Sequence, residues 1–371
     1  MSNNKKIVYL TMNDAPSGVY KSQVIDVVDF LNSRLDLNIK LVSFVPLRGF
    51  LQNRRKLKAW NNNIKVLPMF PKLSNWKRTK SIYNLFAPKG DLIIARGPMA
   101  FEISHNKDVL MIYDGRGAIK AELNEYPDMI PDRSIVNNII NAEKFAVLNS
   151  NKRLAVSHKL VDYWKREFNL PTEDSSSIVI PCLFTAKEMS KDLKSKTDLG
   201  WSEKDIVLVY AGGIGGWQSF EPLMVSLIKL LGANNNIKCL FLTRENEYLT
   251  VLMSKFPKKV KRLWLNPEEV PNYLSLGDYG ILVREKNITN EVASPVKYAE
   301  YLNAGLKVLI SEGIGDFSNE VMTENLGIVI RDFQIPENLK EITADEKERI
   351  IAFGNKYSKE NFLELYKNLL G

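Results

Sequence analysis

Two successive series of short, unbroken apolar runs constrain this chain more than any other feature. The first comprises "KIVYLTM", "NIKLVSFV", "IKVLPMF", "DLIIARG" and "DVLMIYD". A strand covered on one face alternates apolar with polar residues, so an unbroken run needs cover on both faces, as in a parallel sheet flanked by helices. Helical patterns fall around 19–35, 74–86, 133–150 and 157–168. A polar, Lys-rich joint then intervenes at 183–204, "LFTAKEMSKDLKSKTDLGWSEK". After it the pattern restarts with "DIVLVYAGG", "IKCLFLT", "VKRLWLN", "YGILVRE", "LKVLISE" and "LGIVIRD", with helices expected near 218–231, 267–275, 295–304 and 345–370. At 371 residues the chain exceeds a typical single core. The expected fold class is α/β, with two doubly wound domains, 1–183 and 184–356, and a ligand cleft between them. A final helix at about 357–371 is expected to pack back on the first domain. Ligands of such sheets bind beyond the carboxyl ends of the strands.

Several function classes drop out early. No apolar run reaches the roughly 18 residues that span a bilayer, and the start, "MSNNKKIVYLTM", is too short in apolar residues for a signal peptide. A cytoplasmic protein is expected, with Cys182 and Cys239 reduced. Only His105 and His158 are present and no Asp-x-Asp motif occurs, so no metal cofactor is expected.

The net charge of +8 is localised. Residues 37–90 hold twelve Lys or Arg and no Asp or Glu, while the other 39 basic residues are outnumbered by 43 acidic ones. The same segment interleaves Phe50, Leu51, Trp60, Phe70, Trp76, Tyr83 and Phe86. Such a mixture suits an anionic membrane surface, with Arg54, Arg55, Lys56, Lys58, Trp60 and Trp76 as contact residues. A solvated basic face with the aromatics in the core is the alternative. Nucleic acid ranks last.

Two Gly-rich turns follow first strands. In "VYAGGIGGWQS", Gly213 and Gly215 allow close backbone approach, and the following helix start offers N–H groups to a phosphate or sugar. The spacing matches neither the P-loop nor the dinucleotide fingerprint, and a packing turn is the competing reading. In "MNDAPSGVYKSQ", Gly18 precedes a helix with Ser17 as a possible cap; a turn is its simplest reading, and in a two-domain cleft enzyme Gly18 would also face the donor as a binding residue.

The stretch "GDYGILVREKNITNEVASPVKYAEYLNAGLKVLISEGIGD" (277–316) resembles the donor-binding unit of GT-B glycosyltransferases, close to glycosyltransferase family 4 of the bacterial polysaccharide-assembly type. The spaced agreement "SPxKxxEYLxxGLxVL" carries the resemblance, and "MIYDGRGAIKAE" and "LAVSHKLVDYW" resemble late segments of the first domain in that family. The resemblance implies a nucleotide-sugar donor as substrate, with Lys297 on the diphosphate, Glu300 on the ribose hydroxyls, and Ser294 beside them. Lys297 and Glu300 are three apart and share a helix face. Without the surrounding motif a surface ion pair would be the better reading.

Two departures stand out. Members of family 4 often carry a second Glu eight positions before the ribose Glu, where this chain has Val292 with Glu291 beside it. The usual basic pair after the first strand of the second domain is absent, which leaves Arg284 and Arg244, at strand ends, as diphosphate contacts. The reaction implied is sugar transfer with retention of anomeric configuration. Asp114, ending "IYDG", is the candidate beside the reacting sugar, with capping of the next turn as its alternative, and Glu291 is a second catalytic candidate. The implied acceptor is a glycan or lipid-linked glycan of cell-surface polysaccharide assembly, lipopolysaccharide or capsule. The enzyme would then sit peripherally on the inner face of the cytoplasmic membrane. The rivals are a nucleotide-sugar epimerase of the same fold and a non-catalytic binding protein.

Overall fold

The computed structural model describes residues 5–130, 132–184 and 194–371, so part of the polar joint lies outside the described residues. The chain divides into two compact units, Met1–Leu183 with Lys359–Gly371, and Phe184–Ser358.

The first unit holds a seven-stranded parallel sheet. Its strands are β1 (Ile7–Met12), β2 (Lys40–Val45), β3 (Lys65–Pro68), β4 (Leu92–Arg96), β5 (Leu110–Gly115), β6 (Lys152–Ala155) and β7 (Ser177–Val179), ordered β3-β2-β1-β4-β5-β6-β7. Every residue of β1 is buried, as its unbroken apolar run requires. Strands β6 and β7 escape the sequence pattern because they are short and β6 contains Arg153. That guanidinium is buried against Asp174 at 2.6 Å and the Val147 carbonyl at 2.9 Å, which satisfies a charge that reads against a strand.

The second unit holds a six-stranded parallel sheet of β8 (Ile206–Ala211), β9 (Ile237–Leu242), β10 (Val260–Leu263), β11 (Tyr279–Leu282), β12 (Lys307–Ser311) and β13 (Gly327–Ile330). Its order is β10-β9-β8-β11-β12-β13. Alternate residues of β8 feed two different cores. Ile206, Leu208 and Tyr210 join Phe220 and Leu223 on one face, whereas Val207, Val209 and Ala211 join Tyr298 and Tyr301 on the other. Strand order reverses between β8 and β11, so the loops after these two strands diverge and leave a crevice at their carboxyl ends.

The expected helix over 345–370 is interrupted. Helix Ala344–Gly354 gives way to 3-10 turns at Asn355–Tyr357 and Lys359–Phe362, then to helix Leu363–Leu370. The break comes at Ser358, whose backbone is extended (φ −70°, ψ 151°). Beyond it, Tyr366, Leu369 and Leu370 are buried in the core of the first unit. Helices Phe50–Trp60, Pro98–Ser104, Ile119–Glu125, Glu247–Lys255 and Phe317–Thr323 also exist without having been marked by periodicity.

Candidate functional site

The site in the second unit is built from the ends of β8 and β11. After Ala211 the chain enters the glycine run, makes a 3-10 turn at Gly216–Gln218, and passes through Ser219 into helix Phe220–Ala233. Ser219 holds a left-handed backbone (φ 47°, ψ 48°), and its Oγ accepts the Glu285 N–H at 2.8 Å, which ties this loop to the end of β11. On that end, Arg284 is 6% exposed; its backbone N–H donates to Ser311 Oγ at 2.7 Å. Its guanidinium donates to Asn290 Oδ1 and to Gln218 Oε1, both at 3.3 Å. Asn290 is itself fixed, with its Nδ2 donating to the Glu285 carbonyl at 3.0 Å and its backbone N–H capped by Asn287 at 2.9 Å.

Lys297 arrives from helix Val296–Asn303. Tyr298, Ala299, Tyr301 and Leu302 of this helix are buried, and Tyr298 stacks on Phe317 with ring centroids 4.2 Å apart. This face docks the helix, and Lys297 reaches the β8 loop. Lys297 is 8% exposed, donates from Nζ to Gln218 Oε1 at 3.0 Å, and lies 4.1 Å above the Tyr210 ring. Burial first, and the Arg284 charge second, push its pKa well below the usual lysine range, with Glu300 pulling the other way. Two buried cations thus converge on one neutral amide oxygen, an arrangement that favours an anion.

The other expected donor residues lie as follows. Glu300 is half-buried on the Lys297 helix, and Ser294 is buried just ahead of it. Pro295 immediately precedes that helix. Gly213 and Gly215 are exposed, and the Gly213 carbonyl accepts the Tyr210 hydroxyl. Glu291 closes the short turn Ile288–Glu291 and is half-buried, whereas Val292 beside it is buried. Arg244 is exposed after β9 and stacks on the Trp264 ring at 4.9 Å. Among the described residues no group of three or more His, Cys, Asp or Glu is placed to hold a metal ion.

In the first unit, Asp114 is wholly buried at the end of β5. Its carboxylate accepts the Tyr9 hydroxyl, Arg96 Nη1 at 3.5 Å and Arg116 Nη1 at 3.3 Å. Arg96 also pairs with Asp14 at 3.2 Å, and Arg116 reaches Gln23 Oε1 at 3.3 Å. Burial, then the Asp114 charge, keeps the Tyr9 phenol protonated far above its ordinary range, so it stays a donor. Both oxygens of Asp114 are thereby engaged, and the carboxylate ties β1, β4 and β5 together. Gly18 is exposed at the start of a helical turn whose cap is Ser17, accepting the Tyr20 N–H at 3.2 Å.

The basic segment divides. Arg54, Arg55 and Lys56 are exposed on helix Phe50–Trp60, Lys58 is half-buried, and Leu47 and Leu51 are 52% and 65% exposed. Trp60 is half-buried against the core beneath Lys56. Trp76, expected on the surface, is 1% exposed: it fills the interior, and only Lys77 above its ring faces out. Nearby, Pro46, Leu47, Met69, Phe70, Pro71 and Leu73 line a groove of about 510 Å³, with Arg48 and Lys72 on its wall.

Sequence reading missed Gln218, Asn290, Tyr210, Arg96 and Arg116. Gln218 lies inside the glycine-rich "GGIGGWQS", and nothing in its spacing marks it as the residue on which Lys297 and Arg284 converge.

No protein-family model and no curated protein sequence matches the chain. Solved structures do. Sucrose-phosphate synthase from Thermosynechococcus elongatus is 12% identical over 99% of both chains, with a TM-score of 0.67. The Anabaena protein HepE in complex with UDP and glucose is 14% identical over 99% of both chains, with a TM-score of 0.64. A UDP-N-acetylglucosamine 2-epimerase is 12% identical over 97% of this chain and 94% of its own, with a TM-score of 0.58. At such identities the likeness establishes the fold, which is of the GT-B type with two Rossmann-like domains.

Proposed function

We propose that the chain is a glycosyltransferase that takes its sugar from a nucleotide-sugar donor bound at the carboxyl ends of β8 and β11. One observation carries this reading: Lys297 and Arg284, both buried, converge on a single acceptor, Gln218 Oε1. Burying two like charges is costly unless an anion offsets them, and a diphosphate bridging both does so. Glu300, one turn along from Lys297, is suited to accept the two ribose hydroxyls. Transfer breaks the anomeric bond and leaves negative charge on the departing diphosphate, where fixed cations lower the barrier. The retaining course, the family 4 kinship and the roles of Glu291, Ser294 and Arg244 belong to the same proposal. Of the similar structures, HepE holds UDP and glucose, which agrees with a nucleotide pocket.

For the acceptor we propose a glycan or lipid-linked glycan of polysaccharide assembly, met by the first unit at an anionic leaflet. Exposed Leu47 and Leu51 among the cations of the helix Phe50–Trp60 support a peripheral contact, and the apolar groove beside them suits a lipid tail better than a sugar. Among the described residues no helix is long and apolar enough to cross a membrane.

The likeness to an epimerase, together with Val292 at the position of the second family Glu, keeps a nucleotide-sugar epimerase as a second reading. Thermal unfolding against UDP-, GDP-, ADP- and CMP-linked sugars, with and without EDTA, tests both. A selective shift lost in Glu300→Ala supports the donor site; a ligand at 100 times its Kd adds about 2.7 kcal/mol. Nucleotide released only when acceptor is supplied selects the transferase, and epimerised donor without acceptor selects the epimerase. No shift with any nucleotide leaves a binding protein that keeps only the fold.

A further inference from the structure

We infer that Gln218 stands, in the ligand-free protein, where an oxygen of the donor diphosphate will bind, and that the anion enters by displacing it. This rests on the donor-site reading above and gives that site a built-in competitor.

The geometry is that of a substitute ligand. Gln218 Oε1 lies 3.0 Å from Lys297 Nζ and 3.3 Å from Arg284 Nη2, two cationic donors on one oxygen. The Tyr210 hydroxyl, 3.5 Å away, donates its hydrogen to the Gly213 carbonyl instead. An amide oxygen satisfies both donors in position but carries no net charge. It therefore adds no charge against the repulsion between the two buried cations, which, after burial, is the second cause that lowers the Lys297 pKa. A phosphate oxygen in the same place offers the same two bonds with a full charge.

Gln218 is also carried where it can leave. It ends the three-residue turn Gly216–Gln218, preceded by the exposed stretch 212–216, in which four of five residues are glycine. Gly212 sits at φ +116°, a conformation that L side chains rarely adopt. The residue after it, Ser219, is anchored through Oγ to the Glu285 N–H at 2.8 Å. A fixed point at 219 and a glycine run at 212–216 let the turn rotate and withdraw the amide while helix Phe220–Ala233 stays in place. The two states differ in which oxygen meets the cations, so the anion shifts the balance only by as much as it outbids the amide.

Titration calorimetry with inorganic pyrophosphate, on the wild-type chain, Gln218→Ala and Gln218→Glu, tests the inference, with ligand-free melting and circular dichroism for each. Removing a competitor for a charged donor raises pyrophosphate affinity about tenfold in Gln218→Ala and lowers the ligand-free melting temperature. Gln218→Glu, which supplies a negative charge internally, melts higher without ligand and binds pyrophosphate at least about tenfold more weakly. A merely structural role does not move stability and affinity in opposite directions. Weaker binding by Gln218→Ala overturns the inference, because Gln218 then reaches the anion directly. Affinity unchanged by both substitutions overturns it alone, while the nucleotide panel still supports the donor site. Failure of pyrophosphate and every nucleotide to bind wild type and Gln218→Ala overturns the inference and the donor-site reading together.

Discussion

The end of the Lys297 side chain lies over Gly212: a β-carbon at residue 212 would stand 2.7 Å from Lys297 Cε and 3.3 Å from Nζ. Gly212 also holds φ +116°, so an alanine there meets backbone strain and a side-chain clash at once. Gly212→Ala is expected to lose about 1–3 kcal/mol of stability and to push the ammonium out of reach of Gln218. Urea unfolding and nucleotide-induced melting shifts read the two effects. A full-size shift in the variant would mean that Lys297 does not need its present position to bind.

A second glycine sets the height of the Lys297 helix. A β-carbon on Gly280 in β11 would lie 2.2 Å from the Tyr301 ring, whose hydroxyl accepts the Ala211 N–H at 3.0 Å and reaches the Ile281 carbonyl at 3.3 Å. Gly280→Ala is expected to lift the helix, at about 1–3 kcal/mol, and to abolish the nucleotide shift. Tyr301→Phe leaves the Ala211 N–H buried without that acceptor, at about 1–3 kcal/mol, but keeps the ring seated. It should lose stability while retaining affinity. Equal loss of affinity in both variants would assign Tyr301 a part in binding rather than in docking the helix.

Lys297 gives a pH signature of definite sign. Its folded pKa lies well below the ordinary lysine value of 10.5. Between the two values the unfolded chain binds the extra proton, so stability rises with pH across that window. The burial penalty is fully present below the folded pKa and has gone by the unfolded one. Lys297→Met, which keeps the length and removes the titration, should be more stable than wild type at low pH and lose that advantage as pH rises toward 10.5. Measuring unfolding free energy for both proteins along pH isolates the difference. A constant difference would show that Lys297 does not titrate abnormally. Anion binding in the same window should take up a proton, which calorimetry in buffers of different ionisation enthalpy detects.

How much of this was legible depended on whether the residue's chemistry or its neighbours set its role. Strands β1, β2, β5, β8 and β12 were readable because burial on both faces demands unbroken apolar runs. Strand β6 was not, because the partner that permits its Arg153, Asp174, lies 21 residues away along the chain. Lys297 and Glu300 were visible through their spacing within one helix. Gln218 was not, since it and the two cations it joins, Arg284 and Lys297, come from two loops and a helix that only the sheet order brings together. Asp114 shows the converse. Its place at a strand end suggested a reacting group, and the arginines that occupy it, Arg96 and Arg116, stood in "IIARG" and "YDGRG" without an obvious target. Trp76 was misplaced for a similar reason: a local mixture of basic and aromatic residues does not say which side chains turn inward.

The helix Phe50–Trp60 allows the membrane proposal to be tested without disturbing the donor site. Leu57 is buried beneath it, while Leu51 and Arg55 are exposed and, with half-buried Lys58, recur at the four- and three-residue spacing of one helix face. Each cation near an anionic leaflet contributes about 1 kcal/mol, so neutralising Arg54, Arg55, Lys56 and Lys58 to Gln should weaken vesicle binding by up to about three decades. That loss should shrink as salt rises, because screening removes it from wild type as well. Leu47→Ser with Leu51→Ser should instead lower binding by an amount insensitive to salt, since burial of apolar surface carries no charge. Trp76→Ala separates surface from core: it should cost about 3–5 kcal/mol of stability and leave vesicle binding of the remaining folded protein intact. Sedimentation with vesicles containing one third anionic lipid, at low and physiological salt, reads all three. Unchanged binding of the four-Gln variant at low salt would return this segment to an ordinary solvated face, and the acceptor would then have to be sought without a membrane.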